Sequence, residues 1–318
     1  MFSHLLMAGG ASAAPVSALP QGWYLGSCGN TGVFEIAYSE TYSGTWARVT
    51  VANEVLQFAT DGIVLVAVGA GGLCLYTEDG ETWETVDLGI TARIKTLCYD
   101  GTAFVCVANG GTSYSSLDGK TWSSLGTAYS SVAGYGIDPY QMETDGAGTL
   151  VIHTAENGKI MTSTNHGASW TTRVSEAGRY MRGGAFNGTS FIVGGDFGTL
   201  YTATDASSWA SNSTPSGSDI GYRGWGGNGI FMWCNDGYGL KVGSAWNSMA
   251  TKISNFTTPY GTQPGFWDSE NNIWMMNGVL GGTTYFKYST DSGNNWSNVS
   301  NYPFSATVGG AAVICVRY

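Results

Sequence analysis

The chain has 318 residues, of which 48 are glycine, 13% are aromatic and only 11% are charged, and its formal net charge is −10. Thirteen scattered Lys and Arg residues do not form the concentrated basic surface that nucleic acids or anionic membranes require. The sequence also lacks an apolar run of about 18 residues. We therefore expect no nucleic-acid partner and no membrane insertion.

The chain starts with a Gly- and Ala-rich segment, residues 1–22. Within it, residues 11–13 read Ala-Ser-Ala and are similar to a signal-peptide cleavage site, but the segment has no Lys or Arg and its apolar run is short. We therefore predict an N-terminal anchoring arm over residues 1–22, followed by a single domain over residues 23–318.

After the arm, tryptophan recurs at intervals of 37 to 50 residues, each time at the end of a similar short phrase. The clearest phrases span residues 76–83, 115–122 and 289–296. A period near 40 residues is typical of repeat architectures, in which each unit buries its apolar face against the next. The recurring residues are Trp46, Trp83, Trp122, Trp170, Trp209, Trp246 and Trp296.

Each repeat also carries turn signals that divide it into short strands. Asn-Gly and Asp-Gly pairs tolerate the backbone angles of tight hairpins. They precede apolar strands at Asp61, Asp100, Asp145, Asn187 and Asn228. A second Gly-rich turn follows in most units, and the Trp phrase supplies a third. Every unit is thus predicted to be a four-stranded antiparallel meander, which is the size of one β-propeller blade.

Six complete units fit between residues 54 and 303, and a fragment remains at each end of the chain. The N-terminal fragment is expected to supply a third and a fourth strand, and residues 304–318 a first and a second. Residues 23–25 are a candidate further strand, so the division within this blade stays open. We predict an all-β, seven-bladed β-propeller of four-stranded antiparallel blades, closed by pairing N- and C-terminal strands in one blade, which leaves no open sheet edge.

The Trp phrases resemble the Asp-box, or BNR, repeat of sialidase-like propellers, Ser-x-Asp-x-Gly-x-x-Trp. Residues 289–296 match it in full, residues 163–170 carry Asn165 at the acidic position, and three other copies place the acid one residue later. The resemblance implies structural turns, since the box occurs in enzymes and non-enzymes alike. The structural Asp-box residues are Asp79, Asp118, Asn165, Asp205, Asp291, Trp83, Trp122, Trp170, Trp209 and Trp296.

Few residues suggest chemistry. Sialidase activity would require three arginines, a Tyr nucleophile with a Glu partner and an acidic Asp, and no such set can be assembled; residues 93–95 read Arg-Ile-Lys where that family has Arg-Ile-Pro. The six cysteines lie at irregular intervals without zinc-ligand spacing, which favours buried thiols over disulfides or a metal site. We expect a non-enzymatic protein with no cofactor and no metal.

One set of cations gives a candidate binding site. Lys95, Arg182 and Arg223 each precede the first hairpin turn of their unit by five residues, which places all three at the mouth of the central channel. There they could attract an anionic sugar, a carboxylate or an acidic loop; alternatively, they pair with neighbouring acids or keep the channel hydrated. Trp225 and Trp267 are candidate exposed sugar-stacking residues, with core packing as the alternative.

The low charge, the abundance of Gly, Ser, Thr and aromatic residues, and the Gly/Ala-rich start favour a virion protein of a tailed bacteriophage. We predict a tail-tip, fibre or decoration protein, made in the host cytoplasm, that contacts other tail proteins through its arm and has a host-surface glycan as its candidate ligand. Two alternatives remain open. One is a sialidase-like glycoside hydrolase; the other is an assembly-factor propeller that binds a membrane-protein partner, similar to the one that helps to build photosystem II.

Overall fold

The computed structural model describes residues 23–30, 33–41, 43–128, 139–154, 158–213, 223–235, 239–257, 265–269, 271–280, 283–302 and 313–316. The predicted arm over residues 1–22 lies outside this part of the chain. Among the described residues, no helix is both long enough and apolar enough to cross a membrane.

The described residues form short strands with brief turns between them. In chain order the strands are β1 (Trp23–Asn30), β2 (Val33–Ser39), β3 (Ala47–Val51), β4 (Val55–Thr60), β5 (Leu65–Gly69), β6 (Cys74–Thr77), β7 (Glu84–Thr85), β8 (Ile94–Tyr99), β9 (Phe104–Ala108), β10 (Thr112–Ser116), β11 (Ser123–Thr127), β12 (Pro139–Thr144), β13 (Leu150–Thr154), β14 (Lys159–Ser163), β15 (Thr171–Ser175), β16 (Met181–Phe186), β17 (Phe191–Gly195), β18 (Thr199–Ala203), β19 (Ala210–Ser213), β20 (Arg223–Gly227), β21 (Ile230–Asn235), β22 (Gly239–Gly243), β23 (Ala250–Ile253), β24 (Phe256–Thr257), β25 (Gly265–Asp268), β26 (Ile273–Leu280), β27 (Thr283–Ser289), β28 (Ser297–Asn298) and β29 (Val313–Val316).

These strands make seven antiparallel sheets, which we call blades. Blades 1 to 5 contain β4–β7, β8–β11, β12–β15, β16–β19 and β20–β23, and blade 6 contains β25–β28, with β24 as a short addition beside β26. The terminal blade has the order β29, β1, β2, β3. The first strands β4, β8, β12, β16, β20, β25 and β29 contact one another in sequence, and β29 contacts β4 again. The predicted seven-bladed propeller is therefore confirmed.

The terminal blade closes the ring by pairing the two ends of the chain. Trp23 of β1 pairs with Val316 of β29, and the register continues to Gly26 opposite Val313. The division of strands is not two from each end but follows the alternative in which residues 23–25 belong to a further strand, β1. Since β1 pairs with both β2 and β29, the N-terminal fragment supplies the second strand as well as the third and fourth, and the described C-terminal residues supply one.

Each recurring indole lies between its own blade and the preceding one. Trp122 packs with the cluster of blades 1 and 2, and Trp296 packs with the cluster of blades 5 and 6. The glycine of the same turn makes a close approach to the preceding blade. A Cβ on Gly119 would lie 2.8 Å from a methyl group of Val66, and one on Gly293 would lie 2.6 Å from the methyl of Met232. The turns thus join neighbouring blades as well as neighbouring strands.

Because successive strands run in opposite directions, the turns of a blade lie on two faces of the ring. The first and third turns of each blade, residues 61–64 and 78–83 in blade 1, lie on what we call the hairpin face. The second turn and the links between blades, residues 70–73 and 86–93 in the same part of the chain, lie on the connection face. First strands begin at the connection face and end at the hairpin face.

The cysteines whose side chains are described are all free and buried, namely Cys74, Cys98, Cys106 and Cys234. Burial raises the pKa of the Cys74 thiol to about 12 and raises the pKa values of Cys98, Cys106 and Cys234 as well. These thiols remain protonated at neutral pH and are therefore poor nucleophiles and poor metal ligands.

Candidate functional site

The three cations predicted at the channel mouth do lie at the starts of first strands. Lys95 is the second residue of β8, Arg182 the second residue of β16, and Arg223 the first residue of β20. The ladder register slips by one residue at Lys95 and again at Arg182, so each occupies a bulge, whereas Arg223 pairs in regular register with Cys234. The side chain of Arg223 lies outside the described part of the structure.

Lys95 interacts with an aromatic residue of the next blade. Its Nζ lies 5.6 Å from the ring centroid of Tyr140, within the range of a cation–π interaction. Tyr140 occupies the bulge of β12, between Pro139 and Gln141, so it is the blade 3 equivalent of Lys95. The sequence analysis missed Tyr140, although it lies five residues before Asp145, the same offset that identified the cations.

Arg182 forms an ion pair within its own blade. Its Nε donates to Asp196 Oδ1 at 2.6 Å and its Nη2 to Oδ2 at 3.3 Å, and the guanidinium also lies 4.9 Å from the ring centroid of Tyr180. The structure therefore agrees with the alternative interpretation of Arg182, in which this residue pairs with a neighbouring acid. Asp196 immediately follows Gly195, which is the cross-strand partner of Met181. Aligning β16 with β17 in the sequence would therefore have placed Asp196 beside Arg182.

The turn beside this ion pair exposes an aromatic ring. Phe197 is 67% exposed and has φ of 54°, a left-handed conformation that bulky residues rarely adopt. The equivalent turn of blade 1 has Gly71 at φ of 67°. The Arg179 guanidinium lies 5.0 Å from the Phe197 ring centroid. These residues form a mixed cationic and aromatic surface, the connection-face patch: Lys95, Tyr140, Arg179, Tyr180, Arg182 and Phe197.

The first strands also enclose a cavity of about 270 Å³ on the axis of the ring. It reaches the ends of β4, β8 and β12 at Thr60, Tyr99 and Thr144, so it occupies the half of the channel nearer the hairpin face. The lining residues are Gln57, Phe58, Ala59, Thr60, Leu97, Cys98, Tyr99, Gln141, Met142, Thr144, Trp225 and Gly265.

The two tryptophans predicted as exposed stacking residues are not on an open rim. Trp225 is 6% exposed and lines the cavity instead. Trp267 is half-buried and stacks on Trp274, with ring centroids 5.8 Å apart. The glycines of β20 explain this placement, because a Cβ on Gly227 would lie 2.6 Å from the Trp267 ring. Trp267 therefore packs against its neighbours, in agreement with the alternative of core packing.

Gln141 connects three blades across the channel. Its Nε2 donates to the backbone oxygens of Gly184 and Gly224, at 3.1 and 2.7 Å. Because both partners are carbonyl oxygens, the amide must present its NH₂ group to them, and this fixes the position of Oε1. The signal for Gln141 in the sequence is its offset of four residues before Asp145, which Gln57 shares before Asp61.

The next residue but one, Glu143, is buried between blades 3 and 4. Its Oε1 lies 3.3 Å from Nε2 of His153, whose other ring nitrogen contacts the backbone oxygen of Met181 at 3.2 Å. Glu143 is 6% exposed and His153 is fully buried. A carboxylate and an imidazole held in this way stabilise the interface between two blades and have no open path to a ligand.

The acidic residues of the Trp phrases close turns on the hairpin face. Oδ1 of Asp118 accepts from the N–H groups of Lys120 and Thr121 at 2.9 and 2.7 Å. In the phrases that match the Asp-box spacing, Asn165 and Asp291 accept instead from the N–H four residues later, at 2.9 and 2.8 Å. The shifted position of the acid therefore corresponds to a turn that is one residue shorter.

The described residues contain no group of three or more His, Cys, Asp or Glu side chains placed to hold a metal ion. His166, on a Trp-phrase turn, contacts Asp100 of the preceding blade at 2.7 Å. This contact joins two blades, because Asp100 also closes its own hairpin by accepting from the N–H groups of residues 102 and 103.

No protein-family model and no curated protein sequence matches this chain. Solved structures do. One described as "YCF48 bound to D1 peptide" has 16% identity and a TM-score of 0.59, with 84% of this chain and 92% of that chain covered. A protein from Lactobacillus plantarum has 11% identity and a TM-score of 0.64, with 93% and 99% covered. An ancestral GH74 enzyme has 12% identity and a TM-score of 0.56, with 91% of this chain and 56% of the enzyme covered. The chain shares their propeller fold.

Proposed function

We propose that this protein is a non-enzymatic binding propeller that recognises an anionic glycan through its connection-face patch. The observation that carries the proposal is that Lys95, Tyr140 and Arg182 occupy the same bulged position on the first strands of three consecutive blades. Repeated placement of cations and an aromatic ring around one channel mouth gives a ligand both charge attraction and a stacking surface.

The distribution of charge supports this surface. Seven of the 13 Lys and Arg residues lie at, or within two residues of, the start of a first or third strand of blades 2 to 5. These strand starts all belong to the connection face. In a chain with a net charge of −10, such clustering concentrates cations on one face of the ring and supports attraction of an anion there, although Arg93 pairs with Glu54 and Arg182 with Asp196. The seven residues are Arg93, Lys95, Lys159, Arg179, Arg182, Arg223 and Lys241.

Three of the acidic side chains are held in structural contacts, which supports a binding role over a hydrolytic one. General acid–base hydrolysis of a glycoside requires two carboxyl groups that face the sugar. Glu143 is buried against His153, and Asp118 and Asp291 accept backbone N–H groups within their turns. Release of reducing sugar from a bound glycan would contradict the non-enzymatic part of the proposal and favour the glycoside hydrolase.

As the setting of this binding role, we propose the particle of a tailed bacteriophage, with residues 1–22 contacting other tail proteins. The support is compositional: few charged residues, many Gly, Ser, Thr and aromatic residues, and a Gly/Ala-rich start. The genes beside the coding sequence test it. Neighbouring tail genes are expected, whereas neighbouring genes for sugar catabolism would contradict a virion role.

A glycan array compares the wild-type protein with two single variants. Lys95→Ala removes a cation from the connection-face patch. Lys120→Ala is the matched control, because Lys120 also lies over a Tyr ring, at 5.3 Å from the Tyr76 centroid, and pairs with Glu78, but on the hairpin face. We expect Lys95→Ala to weaken binding to sialylated or uronate glycans by about fivefold, which corresponds to about 1 kcal/mol for a surface charge.

Lys120→Ala should bind these glycans as the wild type does. Equal loss in both variants would indicate a general charge effect, and unchanged binding by Lys95→Ala would remove the patch as the binding site. Binding only to neutral glycans would contradict the anionic ligand.

A second candidate is recognition of an acidic peptide, in keeping with the assembly-factor alternative. The observation that favours it is Phe197, an exposed ring beside the Arg179 guanidinium, because a peptide can provide an apolar side chain and a carboxylate together. The structure described as YCF48 bound to a D1 peptide is a precedent for peptide binding on this fold. Fluorescence anisotropy with labelled acidic peptides should detect micromolar binding that Phe197→Ala abolishes; no binding by the wild type would remove this candidate.

A further inference from the structure

The cavity between the first strands has the features of a second binding site, separate from the connection-face patch. Its lining extends to the hairpin-face ends of β4, β8 and β12, whereas Lys95 and Arg182 lie at the opposite ends of their strands. Its volume of about 270 Å³ is close to the lower limit of small-molecule pockets, roughly 300 Å³. A single ring fits such a space, and a polymer does not.

The lining determines the charge of a suitable ligand. The polar residues that line the cavity, among them Gln57, Gln141, Thr60 and Thr144, carry amides or hydroxyls, and no Asp, Glu, Lys or Arg is among the lining residues that the structure describes. The Cys98 thiol is also neutral, since burial raises its pKa. An ion would lose its hydration there without gaining a counter-charge, so a neutral ligand is favoured.

Two buried polar atoms at the cavity are without hydrogen-bond partners among the described residues: Oε1 of Gln141 and Nε1 of Trp225. Both side chains are more than nine-tenths buried, with 8% and 6% exposed. Gln141 cannot rotate its amide to satisfy Oε1, because its NH₂ group is held by the oxygens of Gly184 and Gly224. Two of the residues that line the cavity therefore hold one fixed acceptor and one donor without partners, and a buried polar group left unpaired is costly.

Hydroxyl groups satisfy both atoms, since a hydroxyl donates one hydrogen bond and accepts others. The indole of Trp225 and the ring of Tyr99 add flat apolar surface, which suits the C–H face of a sugar ring. We propose that the axial cavity binds one neutral, hydroxyl-rich ring, such as a monosaccharide or a cyclic polyol, with Gln141 and Trp225 as the orienting residues. This site does not depend on the anionic glycan proposed above.

Saturation-transfer-difference NMR tests the proposal with glucose, galactose, mannose, N-acetylglucosamine and myo-inositol as probes at millimolar concentration, and with glucuronate as the charged comparison. The full chain and the variant Trp225→Phe are compared. This substitution keeps an aromatic ring but removes the N–H group, so we expect binding of the neutral probe to weaken by about fivefold, as for the loss of one hydrogen bond.

Trp233→Phe is the matched control, because Trp233 is fully buried in the same blade but does not line the cavity. It should bind the probe as the wild type does. Gln141→Met, which keeps the length of the side chain, should also weaken binding. Thermal unfolding shows whether this variant is folded, and if it is not, the result for Trp225→Phe alone tests the site. Equal binding by Trp225→Phe and Trp233→Phe would overturn the site. Saturation transfer from none of the neutral probes, or stronger transfer to glucuronate, would overturn the proposal, and loss of binding by Lys95→Ala would assign the probe to the other face.

Discussion

In several Trp-phrase turns, one oxygen of an aspartate carboxylate accepts the hydrogen bonds that close the turn. Ionisation of that carboxylate contributes to the stability of the fold. Partial burial by itself raises the pKa of Asp118, but hydrogen bonds from the N–H groups of Thr121 and Lys120 and from the Ser116 hydroxyl outweigh it and lower the pKa to about 2. At Asp291, hydrogen bonds from the backbone and side chain of Asn295 lower the pKa to about 2. These turns therefore favour the charged form.

Acid should weaken these turns within a defined range of pH. Because the folded-state pKa of Asp118 lies below the unfolded value of about 3.9, the carboxylate stabilises the fold fully above about pH 4 and loses this contribution as the pH falls to about 2. In urea unfolding, Asp118→Asn should cost less than about 1 kcal/mol near pH 7, since solvent screens this charge, and nothing near pH 2.

The uncharged Asn165, which closes the equivalent turn of blade 3, provides the control for this experiment. Asn165→Ala should lower the free energy of unfolding by a similar amount at both pH values, because it removes an acceptor and no charge. A cost of Asp118→Asn that persists at about pH 2 would contradict the role assigned to ionisation.

Glycine is required at position 184 because the carboxylate of Glu143 lies against it. A Cβ at this position would lie 2.3 Å from Oε1 of Glu143, which is held by His153 on its other side. Gly184→Ala should therefore lower the free energy of unfolding by about 1–3 kcal/mol through overpacking between blades 3 and 4. Urea unfolding measures this change, and an unaltered midpoint would show that Glu143 can move aside freely.

At the residue scale, the position of a side chain could be predicted from the sequence where it depends on the spacing of residues within one turn or strand. The turn acids and the offset of Lys95 and Arg182 from their hairpins follow from a few consecutive residues. The partners of Gln141 were not predictable, because they lie in two other blades and are backbone atoms whose position depends on the closed ring. The prediction that Trp225 lies on an open rim was wrong for the same reason, because strands that are distant in the sequence form the environment of this residue.

At the scale of elements, the interface between blades depends on an indole anchored in its own turn. Nε1 of Trp122 donates to the backbone oxygen of Gly119 at 2.9 Å, and the ring packs against a cluster that includes Val66 of blade 1 and Leu97 of blade 2. The hydrogen bond fixes the orientation of the ring, and the apolar contacts stabilise the interface.

Trp122→Ala should therefore lower the free energy of unfolding by about 3 kcal/mol, since it opens a cavity between two blades. Trp122→Phe is the comparison: it retains most of the apolar contact and loses the hydrogen bond, so it should cost about half as much. Differential scanning calorimetry measures both. Equal stability of the alanine variant and the wild type would contradict a role of the indoles in joining blades.

Regular repeats explain why the blades could be predicted and the terminal blade could not be divided correctly. In blades 1 to 5 most strands are bounded by turn signals, so the sequence places these strands by itself. In the terminal blade, the place of β1 as the second strand depends on its pairing with β29, more than 280 residues away in the sequence. That pairing is a property of the closed ring, and no local pattern indicates which end supplies the second strand.

At the scale of the whole molecule, stability depends on closing the ring. Each first strand contacts the first strands of both neighbouring blades, and β29 completes the circle by contacting β25 and β4 while pairing with β1. Without β29, the edge of β1 would be exposed, and unpaired edges promote aggregation. The axial cavity and the connection-face patch both depend on this closure, since each is formed by several blades.

Removing residues 313–318 tests the closed ring most directly, with deletion of residues 317–318 alone as the control. The longer deletion should lower the melting temperature by roughly 10 °C or more, and a synthetic peptide of residues 309–318 added in trans should restore part of the loss by strand addition. The control should melt as the wild type does. A longer deletion that melts at the wild-type temperature would contradict a propeller closed by its own C-terminal strand.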